Sequence, residues 1–390
     1  MKKQLPPELL SGPISAYRFA GPAGQDIWLF GDAHFSYDNL CSRCTPERHC
    51  RDITEFIQDA IDHVGQLDVL MEFPYVPRSG ARRSKVLSST NRLLRRNAHI
   101  STKVHALFSK ILDMPGPQYI GVFSVLYQQF GDKFYGVHDT SQSKRFHYAD
   151  ARTDAVVMRL LKFPADIFSS SQVKQDYVRL LTGLPTVQHW KHLLEAFVFA
   201  TDFRAAVMDA TKDTPGMSWV GDVPDAELAR PPGITKGARR MHRIAKQFAK
   251  LPEGPLKEAT HAFIMLKMTQ LCDLMREPLS YDVLAPIAAK RLASAHPKKD
   301  GDTHVLAFMK GFQQILFQFN VFLMDQYLVC RMAYYTFVVQ ATKPGTTIVY
   351  AGDDHTTSYM QYCRDFLHLT PLLSKPASSW DEDVTRCISL

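Results

Sequence analysis

A chain of 390 residues, 45% hydrophobic and 22% charged, has the composition of a globular protein and is long enough to bury a large core in two or three domains. Its formal charge of +7 is concentrated. Phe73 to Leu112 contains no Asp or Glu but carries Arg78, Arg82, Arg83, Lys85, Arg92, Arg95, Arg96, Lys103 and Lys110, so the rest of the chain is near neutral and is not a general polyanion binder.

The opening Met1-Lys2-Lys3-Gln4-Leu5-Pro6-Pro7 is charged but lacks an apolar core, which argues against a secretory signal. The longest apolar run, Val305 to Val339, is interrupted by Lys310, Gln313, Gln314, Gln318, Asn320, Asp325 and Arg331. It reads as a buried helix, not a membrane span. Seven cysteines, an odd number with no small-domain framework, fit a reducing, intracellular setting such as the cytoplasm.

The first strong element is Ile27-Trp28-Leu29-Phe30, a buried-type strand over 27–31 that stops at Gly31-Asp32-Ala33-His34. Glycine at a strand end permits a sharp turn or a close approach, and the histidine follows at the carboxyl end, where open α/β sheets place ligands. Cys41-Ser42-Arg43-Cys44, with His49 and Cys50, comes next. It is either a Cys3His zinc knuckle or a loop of free thiols. Residues 52–64 place Ile53, Phe56, Ile57, Ala60, Ile61 and Val64 on one helix face. Gly65 breaks that helix, and Leu67 to Glu72 forms the next strand. Strand, helix and strand make a βαβ unit with parallel strands, which delivers Glu72 to the same edge as Asp32 and His34. A third strand is expected at 133–137, ending in His138-Asp139.

From about 150 to 340 only helical patterns appear, over 152–162, 173–182, 186–211, 234–250, 255–276, 280–294 and 303–340, with a Pro- and Gly-bearing loop at 213–233. A fourth strand, 347–351, stops at Gly352-Asp353-Asp354-His355, a second Gly-x-x-His. A helix follows, with Tyr359, Tyr362, Cys363, Phe366 and Leu367 on one face, and then a short polar tail. The expected architecture is α/β: a small, mainly parallel sheet flanked by helices, with a large all-helical insertion before the last core strand. Residues 1–149 and 311–390 make up the core and 150–310 the insertion.

Two histidines and several carboxylates at one sheet edge suit a divalent ion, Zn, Mn or Co, held by Asp32, His34, Glu72, Asp353 and His355, with an open position to activate water. A metal-free arrangement is equally coherent: His34 or His355 as general base, Glu72 as its partner, and an arginine holding an anionic intermediate. Arg331 is the candidate for that arginine, unless it pairs with Asp325 inside the apolar helix. No Gly-x-Ser-x-Gly, P-loop, Gly-x-Gly-x-x-Gly or His-Glu-x-x-His is present, which removes support for serine hydrolase, nucleotide-phosphate and zincin chemistry.

The order Gly31-x-x-His34, Glu72, helical middle, Gly352-x-x-His355 resembles the TraB/Tiki, erythromycin-esterase-like and ChaN-like superfamily over roughly 25–145 and 320–370. The stretch from Met324 to His355 looks like proteins of large DNA viruses of algae and protists. The resemblance implies a hydrolase acting on an ester or peptide bond, metal-dependent as in Tiki-type members or using His and Glu as in erythromycin-esterase-like ones. ChaN-like members imply the alternative of a haem or small-ligand binder on the same pocket. A virion structural or interaction protein with a degenerate site is the third possibility, and it would place the chain in host cytoplasm or virion. The Phe73-Pro74 pair intervenes where the family often has an arginine, leaving Arg78 as the candidate.

If Arg78–Arg96 is a working surface, its binding is electrostatic. Affinity for a fluorescent oligonucleotide or an acidic peptide should then fall steeply from about 50 to 200 mM salt as counterions are released. Binding that ignores salt would show the stretch to be a solvated face only.

Overall fold

The computed structural model describes residues 9–32, 50–74, 142–150, 171–200, 244–294, 303–377 and 387–390, with isolated positions between 126 and 133. The chain forms two compact units, one of Met1–Asp150 with Arg331–Leu390 and the other of Ala151–Cys330. The return to the first unit thus comes at Arg331, later than the residue 311 expected from the sequence.

The first unit is α/β. Its strands are β1 (Leu9–Ser11), β2 (Ser15–Ala20), β3 (Asp26–Asp32), β4 (Cys50–Asp52), β5 (Leu67–Pro74), β6 (Lys144–Asp150), β7 (Thr346–Gly352), β8 (Pro371–Lys375) and β9 (Cys387–Ser389). Six make one sheet in the order β6-β5-β7-β3-β2-β8, and β4-β1-β9 make a second, smaller one. Strands β6, β5, β7 and β3 run parallel, whereas β2 is antiparallel to β3 and β8 to β2. Parallel strands are covered on both faces, which is why Ile27–Phe30, Val69–Met71 and Ile348–Ala351 are continuous apolar runs with every residue buried.

The order differs from the simple βαβ expectation. Strands β3 and β5 are parallel members of one sheet but are not neighbours, because β7 lies between them and pairs with both. Of the strand expected at 133–137, Lys133 lies in a helical turn and 134–137 fall outside the described residues. The place beside β5 belongs to β6 at 144–150. The short polar tail after Pro376 contains β9, β8 lies just before it, and neither these nor β1, β2 and β4 are expected from the sequence; all are short strands or edges with little periodic signal.

Helix α1 (Ile53–His63) starts where Asp52 accepts from the Thr54 amide (2.8 Å) while Glu55 reaches back to the Asp52 amide. It packs Phe56 edge-on against Trp28 and Phe30, whose own rings stack at 5.6 Å. This marks one face of the sheet as the α1 face.

The second unit contains α2 (Ser171–Gly183), α3 (Val187–Phe199), α4 (Pro255–Arg276), α5 (Tyr281–Ala293) and most of α6 (Thr303–Met332), with no strand among its described residues. Trp190 fills its centre, with ring contacts to Tyr281, Phe312 and Phe319 at 5.6–6.3 Å. The Tyr281 hydroxyl donates to the Leu184 carbonyl, and Asp282 accepts from the Val187 amide. Asp325 faces Lys267 in this unit, where burial lowers the ammonium pKa and the carboxylate opposes the change. Residues 152–162 and 213–233 lie outside the described residues. No helix among the described residues is long and apolar enough to cross a membrane.

Cysteine chemistry departs from the sequence expectation. Cys272, Cys330 and Cys363 are free and buried, but Cys50 is disulfide-bonded. A disulfide-bonded Cys50 is neither a free thiol in a loop nor a zinc-bound thiolate. Cys41, Cys44 and His49 lie outside the described residues.

The other face of the sheet is tied to Arg331 and to the π-helical turn Ala333–Val339 with Gln340 at its end. Strand alternation puts Asp68, Leu70 and Glu72 there, in line with Arg145 and His147 of β6 and with Thr347 of β7. Asp68 accepts from Arg145 Nε (2.7 Å) and Nη2 (2.5 Å), from His147 Nε2 (2.7 Å) and from Gln340 Nε2 (2.6 Å). Arg331 Nη2 sits 2.8 Å from His147 Nδ1. Arginine can only donate, so Nδ1 is the acceptor and the imidazole carries its proton on Nε2. Burial, helped by the Arg331 charge, pulls the His147 pKa down to about 4 and keeps it neutral. Burial alone would raise the Asp68 carboxyl, but the bonds from Arg145 and His147 override it and hold it at about 2.

Two consequences can be measured. Between pH 6.5 and 4 the unfolded chain takes up a proton at His147 that the folded chain refuses, and between 3.8 and 2 the same holds at Asp68. Stability is therefore complete above pH 6.5 and is lost in two steps on acidification. Denaturant melts should show both, and His147→Gln should erase the upper step. Asp68→Asn leaves buried cations without their carboxylate and should cost about 3–5 kcal/mol.

Candidate functional site

The chain leaving β3 next appears in the short strand β4 and then in α1, which packs on one face of the sheet. The chain leaving β7 enters α7 (Asp353–Gln361), whose first residue lies against Gly31 on the opposite face. Adjacent parallel strands whose connections depart to opposite faces open a crevice at their carboxyl ends, which is where such sheets bind ligands.

Glu72 lies near the carboxyl end of β5, two residues before Pro74, at that crevice. Its Oε2 accepts from the Gly352 amide at 2.8 Å, the N-terminal cap of α7, where unpaired amides and the helix dipole favour negative charge. Its Oε1 stands 3.8 Å from His355 Nε2. Both side chains are buried, and the His355 ring stacks on Tyr359 one turn later. Thr356 donates to the Phe30 carbonyl at 3.1 Å, pinning the same turn to β3. Asp353 accepts from the hydroxyl of Ser15, which is buried at the start of β2 opposite Gly31. Burial raises the Asp353 pKa, the Ser15 bond opposes that, and neighbouring Asp354 adds to it.

Of the residues singled out from sequence, Glu72, Asp353 and His355 gather around the first turn of α7. Asp32 is buried at the end of β3 in register with Gly352. Alternation puts it with Trp28 and Phe30 on the α1 face, away from Glu72. Arg331 bonds to His147 in the Asp68 network and lies over the Tyr148 and Tyr335 rings. Asp354 is exposed. His34, His138, Asp139 and the Arg78–Arg96 stretch lie outside the described residues. Among the described residues no three His, Cys, Asp or Glu side chains form a group able to hold a metal.

Sequence reasoning missed Ser15, Arg145 and His147. Ser15 stands in a short segment with no motif. Asp68 had a signal, a lone acid inside an apolar strand, which requires a buried partner. The chain matches no protein-family model, no curated protein and no solved structure.

Gly31 is needed for close approach. A methyl group there would overlap Ser15 Oγ and Asp353 Oδ1 and come within 3.1 Å of the Asp353 Cα, which is backbone and cannot swing away. Gly31→Ala should lower the unfolding free energy by about 1–3 kcal/mol in denaturant melts. Gly65→Ala, with nothing within 4 Å, should stay within about 1 kcal/mol of wild type.

Proposed function

We propose that the chain is a hydrolase acting on an acyl bond, ester or peptide, at the carboxyl edge of the parallel sheet, with Glu72 and His355 as its acid–base pair. One observation carries the proposal. A buried carboxylate, fixed through one oxygen by the Gly352 amide, turns its other oxygen toward a buried imidazole 3.8 Å away. That separation is at the long end of the ion-pair range. A pair held just apart leaves room for a proton to be exchanged with a third group.

In the reaction, His355 takes a proton from water as the water oxygen bonds to the acyl carbon. Glu72 orients the imidazole and offsets the charge it gains. The same proton then passes to the leaving oxygen or nitrogen as its bond to the acyl carbon breaks. Each residue's placement follows from the fold: Glu72 from β5, His355 from the third position of α7, and both from the insertion of β7 between β5 and β3.

The metal-assisted form, with Zn, Mn or Co, draws on His34 in addition. Glu72, Asp353 and His355 do not by themselves make a metal-holding set, since one Glu72 oxygen is bonded to Gly352 and Asp353 to Ser15. The steps above therefore rest on Glu72 and His355 alone.

The test is turnover of a panel of p-nitrophenyl esters and fluorogenic peptides by the full chain. Glu72→Gln keeps an oxygen for the Gly352 amide and removes the charge. It should fold with a melting temperature within a few degrees of wild type and lose about 10²–10⁴-fold in kcat. Wild-type protein inert to the whole panel, or Glu72→Gln as active as wild type, would defeat the proposal.

A further inference from the structure

We infer that Ser15 is a positioning residue for the Glu72–His355 pair: by donating its hydroxyl to Asp353 it sets the rotation of the first turn of α7, and with it the gap across which the pair works. This rests on the proposed hydrolase site and adds to it a residue from a strand that the motifs do not include.

The first turn of α7 is held at three points by three different strands. The Gly352 amide is bonded to Glu72 of β5, Asp353 to Ser15 of β2, and Thr356 to the Phe30 carbonyl of β3. The first tie includes a reacting group, and the last ends on backbone. Of these three ties, the Ser15–Asp353 bond joins two side chains outside the reacting pair, so it can be cut without removing chemistry.

Its strength comes from its surroundings. Ser15 is fully buried and Asp353 partly so, and a hydroxyl donated to a carboxylate is a charge-assisted bond, stronger than a neutral one. Gly31 supplies the space, since any side chain there would occupy the position of Ser15 Oγ and Asp353 Oδ1. Glycine, serine and aspartate thus act as one latch, with Gly31 on β3, Ser15 on β2 and Asp353 on α7.

The lever is short. Asp353 and His355 are the first and third residues of the helix, so rotation of that turn is carried directly to the imidazole. The 3.8 Å between His355 Nε2 and Glu72 Oε1 is about 0.6 Å beyond the usual hydrogen-bonding limit of about 3.2 Å. Misplacement on the order of 1 Å can cost about 100-fold in rate. The latch therefore bears on kcat more than on substrate affinity.

The experiment compares wild type with Ser15→Ala, using the ester and peptide panel together with 15N-histidine NMR. The His355 resonance is assigned by its loss in His355→Gln. Ser15→Ala should lower kcat about 10–100-fold with KM changed less than about threefold, and should shift the His355 ring resonances and their titration. Ser15→Cys, close in size and a weaker donor, should fall between the two, and it stands in if Ser15→Ala does not fold. A purely structural serine would lower the melting temperature and leave kcat and the His355 signals where they were; that result overturns the inference. A wild type without turnover defeats the hydrolase proposal instead, and the latch is then judged on the NMR alone, where unshifted His355 signals would overturn it.

Discussion

Asp68 is the group on which the α/β unit depends. Four donor atoms from Arg145, His147 and Gln340 converge on its two oxygens. Through it β5 is joined to β6, and through Gln340 to the end of the π-helical turn after α6. A buried ion pair repays its desolvation only when its lone pairs are filled, and here they are. Arg331 then fixes the far side of His147, which makes the imidazole a neutral bridge between a carboxylate and a guanidinium. The same turn is tied to the sheet at two further points. Gln25 donates to the Thr336 carbonyl, and the Thr336 and Thr347 hydroxyls bond to each other.

This arrangement divides one face of the sheet along the strand axis. The amino half, at Asp68, Arg145, His147 and Thr347, is crowded with short hydrogen bonds. The carboxyl half, at Glu72, Gly31 and Ala351, is covered by the first turn of α7. Asp68 and Glu72 lie four residues apart on the same side of β5. The first is saturated by donors and held well below the usual carboxylate range, while the second keeps one oxygen turned toward an imidazole beyond bonding distance. A rigid amino half fixes the position of the carboxyl half of the same strand.

Much of this was legible in the sequence. Long elements with a clear period, α1, α4, α5 and α6, fell within a few residues of expectation, as did the apolar strands β3, β5 and β7. Gathering Glu72 and His355 at one edge needed only the assumption that consecutive parallel strands share a sheet. Three things were not legible. The insertion of β7 between β3 and β5 is a long-range pairing with no local signature. β6, Lys144-Arg145-Phe146-His147-Tyr148-Ala149-Asp150, alternates as an exposed strand would, because its polar residues are neutralised by groups far away in sequence. The disulfide at Cys50 could not be foreseen from an odd count, since three buried thiols elsewhere make the total uninformative.

The two Gly-x-x-His motifs look like repeats of one device, but their glycines do different work. Gly31 lies within a strand and is required because two side chains from other elements cross over its Cα. Gly352 has φ −55° and ψ 151°, a conformation open to any residue, and it contributes its amide to Glu72. What unites the motifs is contact between them: the residue after Gly352 lies against Gly31, and Thr356 bonds to the carbonyl just before it. Side-by-side parallel strands in register from Asp26↔Thr346 to Asp32↔Gly352 bring the two strand ends to the same level. The close approach then follows from the absence of a side chain at one glycine. The resemblance between the motifs thus reflects one packing problem solved jointly at a shared sheet edge, with the chemistry left to the residues that follow the second.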